Sequence, residues 1–517
     1  MKQRLTFPVF LLCMGVVVLF LSCSGSSGSS ENTGTINPAI PTYMVIYDEN
    51  GATSGSVPQD STAYEEGQTV VVLGNTENLA KTGFAFAGWN IQEDGMGSAY
   101  SPGETFVMDS YDVTLYAWWK ASGSLDDSFG SGGKVITPVG SSNDLRNAMA
   151  LQNDGKILVA GCSLGSNQDF AVVRYNPDGT LDTGFGSGGK VITPVGSSDD
   201  FGRAMALQND GKILVAGHSL GSNYDFAVVR YNPDGMLDTG FGSGGKVITP
   251  VGSSDDFGRA MALQNDGKIL VAGYSSNGSN ADFAVVRYNP GGTLDTGFGN
   301  GGKVITSVGS SNNRVHALAL QNDGKILVAG CSLGSNQDFA VVRYNPDGTL
   351  DTGFGNGGNV ITPVGSSNDR GYALALQNDG KILVAGYSYN GSNPDFAVVR
   401  YNPDGTLDTG FGSGGKVITP VGSSDDFGYA MALQNDGKIL VAGYSSNGSN
   451  YDFAVVRYNP DGMLDTGFGS GGKVITPVSP SSDCGYVMAL QNDGKILVAG
   501  YSSNGSNYDF AVIRLWP

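Results

Sequence analysis

From residue 123 onward the chain repeats a single arrangement of apolar and polar positions. In residues 204–251, AMALQNDGKILVAGHSLGSNYDFAVVRYNPDGMLDTGFGSGGKVITPV, a short alternating run is followed by the continuous apolar run ILVAG, then FAVVRY, then KVITPV. Alternation with period two is the signature of a strand with one side on a core, and a short unbroken apolar run reads as a strand buried on both faces. The pattern predicts four strands per unit, here 204–208, 212–217, 226–231 and 246–251. Asn209-Asp210-Gly211 and Asn232-Pro233-Asp234-Gly235 supply reverse-turn chemistry after the first and third strands. The small Ala204 and Ala206 suit the first strand to a crowded centre. Lys246 and Pro250 mark the fourth as an outer edge, because lysine discourages edge pairing and proline cannot donate to a central ladder.

Lys134, Lys190, Lys246, Lys303, Asn359, Lys416 and Lys473 mark the repeat, with successive spacings of 56, 56, 57, 56, 57 and 57 residues. The extra residue always falls where SLGSN becomes SSNGSN or SYNGSN, which identifies that segment as a loop. Units this short cannot bury cores of their own and must stack on one another. Four antiparallel strands repeated seven times predict an all-β, seven-bladed β-propeller over 123–517. A parallel β-helix is the alternative, and the tight hairpins and long repeat fit it badly. The array opens on a fourth-type strand (134–139) and closes on a first, second and third. Residues 134–139 are therefore expected to pair with 510–515 and close the ring.

The chain before the array has a different pattern. Lys2 and Arg4 precede an apolar run from residue 7 to 21, and Ser22-Cys23 follows. This is the layout of a secretory signal, and it resembles a bacterial lipoprotein signal, although Phe20 stands where leucine is usual. The resemblance implies a signal peptide at 1–22 and acylation of Cys23 as the mature N-terminus. An uncleaved anchor is the competing reading, but the run is short for spanning a bilayer. Residues 23–42 read as a Ser/Gly-rich tether, and Ser24 is compatible with outer-membrane sorting. At 43–120, YMVIYDENGATSGSVP, YEEGQTVVVLGN, GFAFAGWN and VTLYAWW resemble the Listeria–Bacteroides (internalin B-type) repeat, which implies a small β-grasp-like module of bacterial surface proteins. Strands are expected at 43–47, 69–73, 84–89 and 113–118, with Phe86, Trp89, Tyr116 and Trp118 as core aromatics. In the array, LQNDGKILVAG, DFAVVRYNPDGTLDTGFG and GGKV resemble the bacterial delta-60 repeat, a propeller-forming family whose resemblance brings a fold and no activity.

Composition narrows the function. The 517 residues include 80 glycines, carry a formal charge of −19 and are only 15% charged. The negative charge argues against nucleic acid and anionic lipid surfaces as partners. Five cysteines and two histidines, with no CxxC or Cys/His cluster, give no disulfide framework and no zinc site. Cys162 and Cys331 are placed in non-adjacent blades, while Cys484 and Cys162 fall in neighbours. Calcium is not expected at 176–182, where Arg174 and Pro177 spoil the alternating oxygen pattern such loops need. No cofactor or metal is expected.

The aspartates before Phe in the third strand (Asp169, Asp225, Asp282, Asp338, Asp395, Asp452, Asp509) and the third-strand arginines (Arg174, Arg230, Arg287, Arg343, Arg400, Arg457, Arg514) recur in every unit and read as architecture. The informative positions are those that differ. Asn147, Arg203, Arg259, His316, Tyr372, Tyr429 and Tyr486 are expected just before the first strand. Cys162, His218, Tyr274, Cys331, Tyr387, Tyr444 and Tyr501 are expected just after the second, and Gln168, Tyr224, Ala281, Gln337, Pro394, Tyr451 and Tyr508 before the third-strand aspartate. Antiparallel alternation puts all three sets on one face and the uniform turns on the other. Arginine, histidine and tyrosine varying on one rim describe a recognition surface, with drift in tolerant loops as the bland reading. Tyrosine combines contact area with a polar tip and suits sugars and peptides. The expectation is an exported surface lipoprotein whose propeller binds a glycan, peptide or surface protein and is not an enzyme. A lyase- or hydrolase-type propeller, drawing on His316, Arg314 or Cys484, and a ligand-free spacer are the alternatives.

Overall fold

The computed structural model describes residues 40–309, 312–389 and 391–517; the signal sequence, Cys23 and nearly all of the tether lie outside them. Every regular element among the described residues is a strand. No helix among them is long and apolar enough to cross a membrane.

In the first module, Val45–Asp48, Val113–Ala121, Phe84–Asn90 and Ala99–Tyr100 form a four-stranded sheet in that spatial order, the first two parallel. Short pairs, Thr42–Tyr43 with Tyr64–Glu65 and Thr69–Val71 with Thr105–Val107, flank it. Trp89 is fully buried among Val45, Tyr47, Val70, Leu115 and Ala117, and its indole N–H donates to the Leu73 carbonyl at 2.9 Å. Tyr116 and Trp118, expected in this core, are not in it. Side chains alternate along Val113–Ala121, so Leu115, Ala117 and Trp119 take the core side and Tyr116 and Trp118 the other. Lys120 lies 4.5 Å from the Trp118 ring there.

The array forms seven four-stranded antiparallel sheets in which spatial order follows chain order. The second blade is Asp200–Leu207, Ile213–Leu220, Tyr224–Tyr231 and Lys246–Thr249. The seventh is completed by Lys134–Thr137, which pairs antiparallel to Tyr508–Leu515 with Phe510 opposite Thr137 and Ile513 opposite Lys134. Ring closure by the two ends of the array is therefore as the sequence predicts. It extends further upstream: Asp126 takes the Nε of Arg514 at 2.7 Å, so residues before the strand also substitute for the missing part of blade seven.

The core lies between blades. Leu158, Ala160, Phe170 and Val172 of blade one pack on Ile213, Val215, Ala227 and Val229 of blade two. These second- and third-strand side chains are fully buried, and each branched residue contributes about 1.5–3 kcal/mol of transfer free energy. The outer-strand lysines do more than discourage edge pairing. Lys190, Lys246, Lys303, Lys416, Lys473 and Lys134 each donate to a proline carbonyl of the preceding outer strand, for example Lys246 to Pro194 at 2.6 Å. Asn359, the one departure, falls at the junction where the preceding strand carries Ser307 in place of that proline.

One face is bound by a network that recurs from blade to blade, varied at blade six, where Arg457 donates to the Ser122 hydroxyl in place of a proline carbonyl. The Arg230 Nε donates to Asp238 at 2.8 Å, its Nη1 donates to the Pro290 carbonyl of the next blade, and its guanidinium lies 4.6 Å from the Phe241 ring. Lys212 meets the same carboxylate at 3.1 Å. The recurring arginines are thus inter-blade fasteners, as their recurrence implies.

Candidate functional site

The innermost strands begin four residues earlier than the pattern of residues predicts. Asp200 looks like a turn residue, and its carboxylate does close the preceding turn by accepting from Val195 N at 2.6 Å and Gly196 N at 3.0 Å. The chain then enters the sheet at once, with Asp200 opposite Ser219, Phe201 opposite His218 and Gly202 opposite Gly217. Ala204 pairs with Ala216, so Arg203 is an extra residue, a β-bulge. The same irregularity recurs in all seven blades. The bulged positions are Asn147, Arg203, Arg259, His316, Tyr372, Tyr429 and Tyr486. These are the residues expected in a loop before the first strand; they lie inside it instead.

Glycines make the bulge sterically feasible. A Cβ on Gly217 would lie 1.8 Å from the Phe201 carbonyl oxygen, and one on Gly202 would lie 2.5 Å from the Gly161 carbonyl oxygen of the neighbouring blade. The final glycine of ILVAG is therefore the seat of the bulge. Innermost strands touch their neighbours around the whole ring, first to seventh included, so the bulged positions gather around the propeller's central channel. Ring centroids are 4.2 Å apart for His316 and Tyr372, 4.5 Å for Tyr372 and Tyr429, and 4.7 Å for Tyr429 and Tyr486. These side chains form a half-buried collar near the variable face.

The second-strand set stands behind that collar rather than after the strand. His218, Tyr274, Tyr387 and Tyr444 are buried, His218 to 2% exposure, while Tyr501 is half-buried. The expectation of a rim position fails for these four because Ile213–Leu220 and its equivalents run three residues past the glycine. His218 is stacked at 5.1 Å on Phe201 and lies 5.0 Å from Phe257. Tyr444 stacks on Tyr429, and their hydroxyls meet at 3.2 Å. Of the third set, Tyr508 is exposed and Tyr224 and Tyr451 are half-buried beside the second-strand rings.

The collar divides in two. Tyr372, Tyr429 and Tyr486, backed by Tyr387, Tyr444 and Tyr501, make a continuous aromatic arc over blades five to seven. Arg203 and Arg259, with the neutral His316 beside them, make a cationic arc over blades two to four. Arg314 and Arg370, two positions before the bulge, extend it where other blades have Leu145, Phe201, Phe257, Phe427 or Cys484. Arg370 was not singled out from the sequence, although the change from DFG to DRG was a readable signal.

The electrostatics follow from this division. Burial, then the guanidinium of Arg259, pulls Arg203 down to about 10. Burial pushes His316 well below 6.5, and the guanidiniums of Arg259, Arg314, Arg370 and Arg203 push it further. His218 is depressed by burial and then by Arg203 and Arg259. Both imidazoles are neutral at pH 7. Burial, reinforced by neighbouring phenols, raises Tyr387, Tyr429, Tyr444 and Tyr501 far above 10, so the arc presents neutral hydroxyls. The collar can offer guanidinium and phenol donors together with aromatic faces.

Among the described residues no group of three or more His, Cys, Asp and Glu could hold a metal. Cys162, Cys331 and Cys484 are buried, and none of them is in a disulfide. On the opposite face, shallow clefts of about 310–400 Å³ lie between adjacent inner turns. Both walls of each carry the same Leu-Gln-Asn sequence, as at Leu320–Asn322 and Leu376–Asn378.

Seven segments, 152–185, 208–241, 264–298, 321–354, 377–411, 434–468 and 491–517, match the family described as "Domain of unknown function (DUF5122) beta-propeller". Residues 43–118 match the Listeria-Bacteroides repeat domain. The chain is thus a DUF5122-type β-propeller preceded by a Listeria-Bacteroides repeat. Two Evansella cellulosilytica proteins, one named as a Gly-rich membrane protein and one as a membrane protein, are 34% identical over 112 residues and 33% over 102, or 22% and 20% of this chain. The matched segments span only 13% and 15% of those relatives. Similar solved structures include virginiamycin B lyase from Staphylococcus aureus (10% identity, TM-score 0.45, covering 74% of this chain and 98% of that one). Polysaccharide lyase Uly1 (12%, 0.42, 75% and 92%) is another.

Proposed function

We propose that this chain is an exported binding propeller, tethered through Cys23 to a bacterial membrane, whose collar face takes up a ligand without transforming it. The observation that carries this reading is where sevenfold identity breaks. The Arg–Asp–Lys network repeats on one face, whereas the bulged positions at the other run from Asn147 through Arg203, Arg259 and His316 to three tyrosines. A bulge re-aims a side chain without disturbing the strand beyond it, so the seven positions can vary while the blades stay the same. Neutral phenols and guanidiniums hold and orient a ligand. Acid–base catalysis needs convergent groups titrating near the working pH, and the tyrosines are moved away from that range.

The basic start, apolar run and Cys23 support export and acylation, and the membrane-protein names of the Evansella relatives agree with an envelope location. The Listeria-Bacteroides module then acts as a spacer or an adhesive unit. A glycan and peptide array probed with the full chain, and with a Tyr372→Ala/Tyr429→Ala/Tyr486→Ala variant, tests the binding face. Specific binding lost in the variant is the expected result; turnover of a captured ligand that disappears in His316→Ala would replace this reading with an enzyme. Fatty-acid labelling that survives Cys23→Ala would remove the lipid anchor.

A further inference from the structure

The collar is cationic on one side in a protein whose formal charge is −19. Arg203, Arg259, Arg314 and Arg370 come from four consecutive blades, and His316 senses all four guanidiniums. Among the described residues Arg259, Arg314 and Arg370 have no carboxylate partner. Arg259 donates to the Tyr274 hydroxyl at 3.0 Å, and its Nε is buried with no hydrogen-bond partner. Arg370 donates to the Gln337 side chain, and Arg314 is exposed. Of the carboxylates at this end, Asp200, Asp256 and Asp369 close their turns on backbone amides, and Asp255 takes the Tyr224 amide at 3.1 Å. Burial and then the Arg259 guanidinium depress Arg203, whereas at Arg370 burial is outweighed by the phenols of Tyr387 and Tyr372, which raise it.

Resting on the binding-face reading above, we propose that the collar is a site for an acidic saccharide, its carboxylate on the guanidinium arc and its sugar ring against the tyrosine arc. Guanidinium is suited to bidentate capture of a carboxylate. Tyrosine presents a flat apolar face with a hydroxyl donor at its tip, which meets the C–H face and hydroxyls of a pyranose. A protein partner docks on anchors that stand clear of the surface it covers, Tyr and Arg among the commonest, whereas the tyrosines of the two arcs are half-buried or buried. The exposed large apolar side chains of the propeller are outer-strand isoleucines such as Ile192 and Ile248, together with Met236 and Met463 in turns of the opposite face; only Tyr508 belongs to the collar end.

Titration calorimetry of the full chain with tetragalacturonate, its methyl ester and a pentaglutamate peptide tests the assignment. Tetragalacturonate is expected to bind at least tenfold more tightly than the ester or the peptide. Arg259→Gln/Arg370→Gln should weaken it at least tenfold while leaving the thermal midpoint little changed, since neither guanidinium has a carboxylate partner to lose. Equal affinity for acid and ester, preference for pentaglutamate, or no response to the arginine changes overturns the acidic-saccharide site. If the arginine changes do nothing but the Tyr372/Tyr429/Tyr486 triple alanine abolishes binding, the binding face stands and only its ligand class falls. If neither alters binding of any probe, both readings fall.

Discussion

The two ends of the propeller channel are built from the same seven units and have opposite characters. At the uniform end each blade spends its polar side chains on its neighbour. Arg230 binds Asp238 and the next blade's Pro290 carbonyl, and Lys212 shares the same carboxylate. At the collar end the sheet inserts one extra residue per blade, and the recurring inter-blade bonds there, such as the Tyr224 amide to Asp255, are made by other positions, which leaves the inserted side chain able to differ. Repetition thus supplies stability at one end and leaves seven addressable positions at the other.

The largest effect should come from removing the seat of a bulge. Gly217→Ala places a Cβ against the Phe201 carbonyl; overpacking of this kind, relieved only by moving backbone, should cost about 3 kcal/mol, read as a fall in the urea midpoint. An unchanged midpoint would mean that the bulge is not held by that contact. Next in size is Arg230→Ala, which leaves Asp238 with Lys212 and the Gly240 amide alone and frees the Pro290 carbonyl. Because the pair is partly exposed, the loss should be about 2 kcal/mol, below the roughly 3–5 kcal/mol of a fully buried pair. Tyr429→Phe removes one hydroxyl contact to Tyr444 and should cost about 1 kcal/mol, with the collar's shape retained.

The smallest effects sharpen the contrast by opposite dependence on pH. Burial alone would raise Asp238, but Lys212, the Gly240 amide and Arg230 outweigh it and hold the carboxyl below 3.8. Its contribution is present above 3.8 and lost as pH falls through the lower folded value. Asp225, at the collar end, is raised by burial and then by Asp256, with Lys303 opposing. Its contribution is present below 3.8 and lost as pH rises through the higher folded value. Asp238→Asn should therefore destabilise at pH 7, and the penalty should shrink below pH 4. Asp225→Asn should stabilise slightly at pH 7, and that gain should vanish in acid. The same sign for both, in thermal midpoints against pH, would contradict the distinction.

Much of this was legible in the residues. The repeat length, the turns, the edge position of the Lys–Pro strand and the closure of 134–137 onto 508–515 all follow from local chemistry that each unit states several times. The collar was legible in membership but not in geometry. Asp200 and Gly202 have the composition of a turn, yet one closes the preceding turn with its side chain and the other admits a neighbouring backbone, so the strand starts at Asp200. A bulge leaves no residue signature when the bulged position varies from Asn147 to Tyr486. The burial of His218 and Tyr387 was hidden for the same reason: the second strand continues beyond the glycine that looked like its end. Trp118 was misplaced by counting aromatics without following the alternation from Leu115.

The central claim is that the variable end of the channel, and not the uniform end, is where ligand is held. Binding of an array hit should be measured by calorimetry for two matched variants, Tyr372→Ala/Tyr429→Ala/Tyr486→Ala at the collar and Gln377→Ala/Gln434→Ala/Gln491→Ala at the inner turns of the opposite face. Loss of at least tenfold in the first, with affinity retained in the second, is the predicted result. Retention in the first and loss in the second would place the site at the uniform face and contradict the account.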